Sequence, residues 1–364
     1  MKPDILDKFK GCLVGGAAGD ALGYAVEFNS TDEIRKIYGK NGIAEYDLSN
    51  GKALISDDTQ MTLFTSNGLL LGTALSKFRR KLKDYPSYIW QCYKDWLKTQ
   101  NCSASQIQPS CSWLLNVPEL CESRAPGGTC LWSLAQDNFG TIENPINNSK
   151  GCGGVMRVAP IGLYFIGKRI SQHKVDMLGA EAAALTHGHE LGYMPAALLV
   201  HIISLVANNK MTVEAAVQDG LQQVKQLFPH ARYLNEFIDL INRAVLLSKS
   251  DMDDLEAIYQ LGEGWVAEET LAIAIYCALK YQNDFEKALV AAVNHNGDSD
   301  STGAVTGNIL GAYSGLSKIP QKFITNLELE DLIEDVATDL YKGGKHRDEV
   351  WESKYVYHNF RLNK

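Results

Sequence analysis

The chain has 364 residues, of which 45% are hydrophobic and 21% are charged, and this composition suits one large or two medium soluble domains. Its formal net charge of −8 argues against a bulk electrostatic grip on nucleic acid or on an anionic membrane. No uninterrupted apolar run reaches transmembrane length, and the polar start MKPDILDK is not that of a signal peptide. We therefore expect a cytoplasmic protein.

Eight cysteines are present, and five of them lie between positions 92 and 130. None belongs to a Cys-x-x-Cys pair, so the sequence predicts no structural zinc site. A cytosolic setting disfavours disulfides, and we interpret most of these cysteines as reduced, partly buried small hydrophobic residues.

Two series of glycines recur every four residues, at positions 11, 15, 19 and 23 and at positions 303, 307, 311 and 315. This spacing places the glycines of each series along one side of a helix. Each glycine costs a helix about 1 kcal/mol relative to alanine, which is tolerable where another backbone must approach closely. The pattern predicts a tight helix crossing in the core, which can also hold functional residues in register.

Two carboxylates accompany the first glycine series. Asp20 lies within it, and Glu27 follows seven residues later, about two helical turns away on the same face. A buried carboxylate needs a partner. Asp20 is therefore either an acceptor that orients metal ligands or loop amides, or a partly exposed residue.

Two short acidic motifs combine carboxylates with hydroxyls, each at the start of an apolar stretch that favours a helix. The first is SDDT at 56–59 and the second is DSDST at 298–302. Hard divalent cations such as Mg²⁺ prefer oxygen ligands, and a helix start can present several at once. Helix capping explains either motif alone, but two such similar motifs favour a shared site for two metal ions. Glu27 is then expected to lie over that site.

A glycine-rich turn and a pair of histidines occupy the middle of the chain. In the sequence SKGCGGVMR at 149–157, glycines allow backbone amides to approach an anion such as a diphosphate, although most glycine-rich turns are only turns. His187 and His189 are candidates for stacking on a base or bonding a ribose. The alternative is that they cap a helix or lie on the surface.

Helical periodicity extends over nearly the whole chain, so we predict an all-α architecture. The clearest predicted helices are 212–228, 268–281, 285–294 and 327–341. Strand candidates are confined to 43–46 and 354–357. No linker-like or low-complexity tract divides the chain, so a single compact domain is predicted over 1–364.

Together these motifs resemble the ADP-ribosylglycohydrolase family, which includes the dinitrogenase-reductase-activating glycohydrolases of bacteria and the ADP-ribosylarginine hydrolases of animals. The resemblance extends from about residue 8 to about residue 340, and a C-terminal aromatic extension follows at 345–364. We expect its aromatic residues to pack back on the body or to form an interface: Trp351, Tyr355, Tyr357 and Phe360. Five motifs occur in the family order: 19–23 with Glu27, 56–59, 151–157, 186–187 and 297–303.

The resemblance implies a multi-helix fold with a binuclear Mg²⁺ or Mn²⁺ centre. By the family pattern, the metal ligands come from two helix starts: Ser56, Asp57 and Asp58, and Asp298, Asp300 and Ser301. Glu27 matches a glutamate on a mobile segment that closes over the ribose.

Substrate-binding residues follow from the same resemblance. Gly151, Cys152 and Gly153 match a loop that holds the ADP-ribose backbone, with Met156 beside it, and His187 matches a residue near the nucleotide. Many relatives carry Asn where this chain has Cys152. The Cys form and the serines of the second acidic motif look more like the arginine-specific branch.

The implied activity is hydrolysis of the N-glycosidic bond of ADP-ribosylated arginine on proteins, with release of ADP-ribose. Glycoside cleavage develops oxocarbenium character at the anomeric carbon, and two metal ions would fix the ribose hydroxyls and acidify a bound water. The expected catalytic carboxylates are Glu27, which stabilises the cationic ring or the leaving guanidinium, and Asp58 or Asp300, which accepts the proton of the water.

Three alternatives remain open. One is a hydrolase of O-linked ADP-ribose on serine or acetyl groups, and another is a catalytically weak ADP-ribose-binding member, although this chain keeps every expected ligand. A generic metal-dependent phosphohydrolase explains neither Glu27 nor the glycine-rich turn. Expected partners are an ADP-ribosylated protein and ADP-ribose, without nucleic acid or membrane, and the protein is expected to be a monomer.

Overall fold

The structure is a computed structural model that describes residues 4–79, 85–100, 111–344 and 347–357, and these residues are mostly helical, as predicted. Within them, the α-helices in chain order are α1 (Ile5–Tyr24), α2 (Thr31–Tyr38), α3 (Asp57–Arg79), α4 (Tyr85–Thr99), α5 (Gly128–Ala135), α6 (Ala159–Tyr164), α7 (Gln172–Ala184), α8 (Glu190–Ala207), α9 (Val213–Leu227), α10 (Leu234–Leu247), α11 (Asp254–Tyr259), α12 (Ala267–Lys280), α13 (Phe285–Val293), α14 (Ser299–Ser314), α15 (Glu330–Lys342) and α16 (Glu349–Glu352).

The two glycine series form the predicted crossing, because α1 and α14 pack antiparallel along them. A methyl group added at Gly15 would lie 2.6 Å from the carbonyl oxygen of Gly307, well inside normal van der Waals contact. Gly11 faces Gly311 in the same way. Both helices are buried along most of their length. The crossing therefore lies in the core and brings the end of α1 next to the start of α14.

The four helices predicted most clearly are present as α9, α12, α13 and α15. Thr212 caps α9, since its side chain accepts a hydrogen bond from the backbone N–H of Ala215. The largest difference is at α15, which begins at Glu330 and not at 327, because Leu329 has a left-handed backbone with φ of 58°.

Both strand predictions are wrong. Extended pairing among the described residues is limited to isolated bridges. In segment 43–46, the N–H and C=O of Ile43 bond the side-chain amide of Asn294, at 2.7 and 2.8 Å, so a side chain replaces a neighbouring strand. Segment 354–357 belongs to the π-helical turn Ser353–Tyr357. There the spacing of four between Trp351 and Tyr355 puts both rings on one side.

The described aromatic residues of the C-terminal extension pack back on the body, as one of the two expectations held. Trp351 and Tyr355 are buried, and the Tyr355 hydroxyl lies 3.1 Å from the carboxylate of Asp339 in α15. Phe360 and the side chain of Tyr357 lie outside the described part of the chain.

Seven of the eight cysteines lie in the described residues, and all seven are free thiols. One helix of the described residues, α8, is apolar and long enough by composition to cross a membrane, with a mean hydropathy of 1.6. Its residues are 94% buried inside the protein, which is the condition of a core helix.

Candidate functional site

A cavity of about 320 Å³ opens where the end of α1 meets the starts of α3 and α14. The glycine-rich turn forms another of its walls. Most of the residues that the sequence predicted for the site line this cavity: Glu27, Asp57, Asp58, Gly151, Cys152, Gly153, Met156, His187, Asp298, Asp300 and Ser301. Ser56 lies behind it, where its hydroxyl accepts the backbone N–H of Asp58 at 3.2 Å.

Three buried carboxylates converge in this cavity. Asp57, Asp58 and Asp300 each offer one oxygen within 4.8 Å of the others. Among the described residues that line the cavity, none is a lysine or an arginine. Burial first, and then repulsion from Asp300, raise the pKa values of Asp57 and Asp58 well above their usual range. Buried like charges without a counter-charge are costly unless a cation joins them.

Asp20 holds the start of α3 in place by accepting hydrogen bonds from it. Its carboxylate accepts the backbone N–H groups of Ser56 and Thr59, both at 3.0 Å, as well as the Thr59 hydroxyl. Asp20 is fully buried, so of the two sequence interpretations the partly exposed one is wrong. The residue orients the loop that presents the first acidic motif.

The start of α14 combines helix capping with a place in the cavity. The Oδ1 atom of Asp298 accepts the backbone N–H of Ser301 at 3.2 Å, and Oδ1 of Asp300 accepts the same N–H at 2.8 Å. Burial and the neighbouring Asp300 raise the pKa of Asp298 well above its usual range. Capping, the simpler explanation of this motif, is therefore real and coexists with a site.

Two carboxylate oxygens in the cavity, Oδ1 of Asp58 and Oε2 of Glu27, are buried without a hydrogen-bond partner. Burial, followed by the charges of Asp300 and Asp298, raises the pKa of Glu27 to about 10. An unpaired buried polar atom costs about 1–3 kcal/mol, and more if it is charged. Orphaned oxygens in an all-oxygen donor set fit a hard divalent cation such as Mg²⁺.

The glycine-rich turn closes tightly on His187. A methyl group at Gly153 would lie 2.8 Å from Sγ of Cys130 and 3.0 Å from Cε1 of His187, so this position requires glycine. Burial and then the charge of Arg157 lower the pKa of His187 to about 3. The imidazole is therefore neutral at physiological pH and offers one donor and one acceptor.

The second histidine of the pair, His189, caps a helix, which is one of the alternatives to ligand binding that the sequence leaves open for both histidines. Nδ1 of His189 accepts the backbone N–H of Leu191 at 3.0 Å, at the start of α8. Its ring packs on Tyr233, with centroids 4.7 Å apart, and it does not line the cavity.

Sequence reasoning missed three parts of the cavity wall: Phe28, Trp265 and the turn at 125–129. The turn contributes the backbone N–H of Gly127, which donates to Oδ2 of Asp57 at 3.2 Å. The glycine pair at 127–128 is a weak signal for it, as is the Gly-x-Gly at 262–264 for the loop that carries Trp265.

The helical fold agrees with the comparisons to known proteins. The family model described as ADP-ribosylglycohydrolase matches residues 1–349. The chain therefore belongs to the ADP-ribosylglycohydrolase family, as the motifs predicted.

Individual relatives cover nearly the whole chain. ADP-ribosylhydrolase ARH3 of Bos taurus is 24% identical over 93% of each chain. ADP-ribosylarginine hydrolase Tri1 of Serratia proteamaculans is 25% identical over 93% of this chain and 80% of its own. A solved structure titled "ADP-ribosylglycohydrolase-related protein complex" has a TM-score of 0.56 and 21% identity, covering 93% of this chain and 98% of that one. This likeness shows a shared fold.

Proposed function

We propose that this protein hydrolyses the N-glycosidic bond of ADP-ribosylated arginine on proteins and releases ADP-ribose. The proposal depends chiefly on one observation: Asp57, Asp58 and Asp300 converge in the cavity that also holds the buried Glu27. Family membership supports glycosidic hydrolysis, and the similarity to an ADP-ribosylarginine hydrolase supports the arginine linkage.

The same proposal gives the two acidic motifs a shared metal centre. Ser56, Asp57 and Asp58 would hold two Mg²⁺ or Mn²⁺ ions together with Asp298, Asp300 and Ser301. When bound, such ions supply Lewis acidity toward ribose hydroxyls and acidify a water. The unpartnered oxygen of Asp58 supports the assignment, because a cation would satisfy it.

The chain's own groups would divide the remaining work. Asp58 or Asp300 would hold the proton taken from the attacking water. Glu27 would lie over the ribose and stabilise positive charge on the ring or on the leaving guanidinium. Backbone amides of the turn at 151–153 would bind the diphosphate, and the neutral His187 would contact the nucleotide.

Hydrolysis of O-linked ADP-ribose is the second candidate function, because relatives named ADP-ribosylhydrolase, without arginine in the name, match this chain at nearly the same identity as Tri1. The test is an assay of arginine-, serine- and acetyl-linked ADP-ribose, with and without Mg²⁺. We expect metal-dependent release of ADP-ribose mainly from the arginine-linked substrate. Faster hydrolysis of the serine-linked substrate would overturn the linkage, and binding of ADP-ribose without any turnover would indicate a catalytically weak member.

A further inference from the structure

Phe28 and Trp265 stack against each other in the wall of the cavity. Their ring centroids are 6.2 Å apart with an interplanar angle of 22°, and both residues are exposed, by 72% and 40%. A pair of solvent-exposed rings in a cavity rich in carboxylates is typical of a binding site and not of a core.

The loop that carries Trp265 is hydrogen-bonded both to the glycine-rich turn and to the second acidic motif at the start of α14. Its carbonyl oxygen accepts the N–H of Cys152 at 3.2 Å, which joins it to the glycine-rich turn. The carbonyl of Glu263, two residues earlier, accepts the N–H of Asp298 at 2.9 Å. The carboxylate of Glu269 accepts the N–H of Glu263 at 3.0 Å. The backbone that carries the indole is therefore held in a fixed position relative to the acidic motif.

Phe28 is held less firmly. It lies in the turn that follows α1, directly after Glu27, and the turn is closed by a hydrogen bond from the N–H of Asn29 to the carbonyl of Val26 at 2.9 Å. Rotation about χ1 of Phe28 removes its ring from Trp265 and leaves this backbone bond unchanged. Exposed side chains make such rotations on the picosecond to nanosecond timescale.

We propose that the face of Trp265 recognises the planar guanidinium of the target arginine, and that Phe28 is the ring this cation displaces. The proposal rests on the arginine linkage of the proposed function and makes Trp265 its specificity-determining residue. A guanidinium stacks on an indole by cation–π attraction, and Glu27 next to Phe28 adds a carboxylate. A neutral leaving group gains neither interaction, so Trp265 separates cationic from neutral linkages.

The test uses two planar probes of the same shape, n-butylguanidinium and n-butylurea, which differ in charge. Each is titrated by NMR into the protein saturated with Mg²⁺ and ADP-ribose. We expect the wild type to bind the guanidinium about tenfold more tightly than the urea. Trp265→Leu should abolish most of this preference, and Trp265→Phe should keep much of it. Trp132→Leu is the matched control, since Trp132 is 52% exposed but does not line the cavity.

Each outcome supports or overturns the proposal. Equal affinity of the wild type for the two probes, or an equal loss of both in Trp265→Leu, would show that the indole is only an apolar wall. Loss of guanidinium binding in Phe28→Ala would show that Phe28 is a contact and is not displaced. A preserved probe preference in a protein that does not hydrolyse arginine-linked ADP-ribose would refute the proposed function and leave Trp265 as a guanidinium-binding surface.

Discussion

Two of the regions that hold buried carboxylates, one around His201 and one in the cavity, satisfy these groups in different ways. In the first, His201 of α8 lies between two acids and joins three helices. Its Nδ1 is 2.8 Å from Asp176 in α7, and its Nε2 is 3.0 Å from Asp219 in α9. Burial raises the pKa of Asp176, and the hydrogen bond with His201 opposes that shift. We call His201, Asp176 and Asp219 the clamp, and each buried group in it has a hydrogen-bond partner within the chain.

In the second region, the cavity, the carboxylates face one another. Asp58 and Glu27 keep buried oxygens without partners, and Asp300 raises the pKa of each of them further than burial alone. In the clamp, the buried groups have hydrogen-bond partners within the chain. In the cavity, the negative charge of the carboxylates is left to be neutralised by a bound ligand. Burial of an acid therefore does not by itself mark function, and what distinguishes the cavity from the region around His201 is its facing carboxylates with unpartnered oxygens.

The largest expected effect separates the two regions by activity. Asp300→Ala should reduce turnover by about 1,000-fold, since the charge stabilisation from a bound metal is worth several kcal/mol and each 1.36 kcal/mol is tenfold. Mg²⁺ affinity should fall as well, while circular dichroism shows an unchanged helical fold. Full activity of this variant, or of the wild type in excess chelator, would remove the metal site from the mechanism.

Glu27→Gln should reduce turnover by about 100-fold, the lower end for a positioned acid or base, but leave Mg²⁺ binding nearly intact. The reason is that Glu27 comes from the turn after α1 and stands outside the cluster of Asp57, Asp58 and Asp300. Calorimetric titration of Mg²⁺ into the variant is the measurement. A loss of affinity as large as that of Asp300→Ala would make Glu27 a metal ligand.

A substitution in the clamp should reduce stability and leave activity nearly unchanged, the reverse of a substitution in the cavity. His201→Leu removes the partner of the buried Asp176 and should lower the free energy of unfolding by about 3 kcal/mol, measured by urea denaturation. Because the clamp lies outside the cavity lining, kcat at a temperature where the variant is folded should remain within about twofold of the wild type. A drop in kcat comparable to that of Glu27→Gln would mean that the two regions are coupled.

The parts of this molecule that the sequence predicts are those whose geometry is local. The glycine spacing predicts the crossing of α1 and α14, because a repeat of four defines one helix face without knowledge of the partner. The two acidic motifs predict their own places at helix starts. The sequence does not decide whether Asp20 is buried, because its burial depends on contacts with the segment that leads into α3.

The parts that it misses depend on distant pairings. Segment 43–46 is not a strand, because the side-chain amide of the distant Asn294 bonds its backbone in place of a neighbouring strand. Trp265 reaches the cavity because residues far along the chain, Cys152 and Asp298, hold its loop. Nothing in the spacing of a tryptophan directly after a Gly-x-Gly segment indicates that pairing. Metal identity and number, and the leaving group, depend on atoms that the chain itself does not contain.

The smallest expected effect concerns how the stability of the cavity depends on pH. Burial raises the pKa of Asp20 to about 7 from 3.8, and that of Glu27 to about 10 from 4.5. Between each pair of values the folded state binds more protons than the unfolded state, so stability falls as pH rises. In excess chelator, the wild type should therefore melt a few degrees higher at pH 5 than at pH 8. Saturating Mg²⁺ should reverse this trend, because metal binding requires deprotonated ligands.

Two variants test whether the cavity causes this pH dependence. In chelator, Glu27→Gln should reduce the difference in melting temperature between pH 5 and pH 8. His201→Leu should lower the melting temperature at both pH values and leave that difference unchanged. A metal-free wild type that is more stable at pH 8 than at pH 5, with Glu27→Gln indistinguishable from it, would show that the cavity carboxylates are neutralised in some other way.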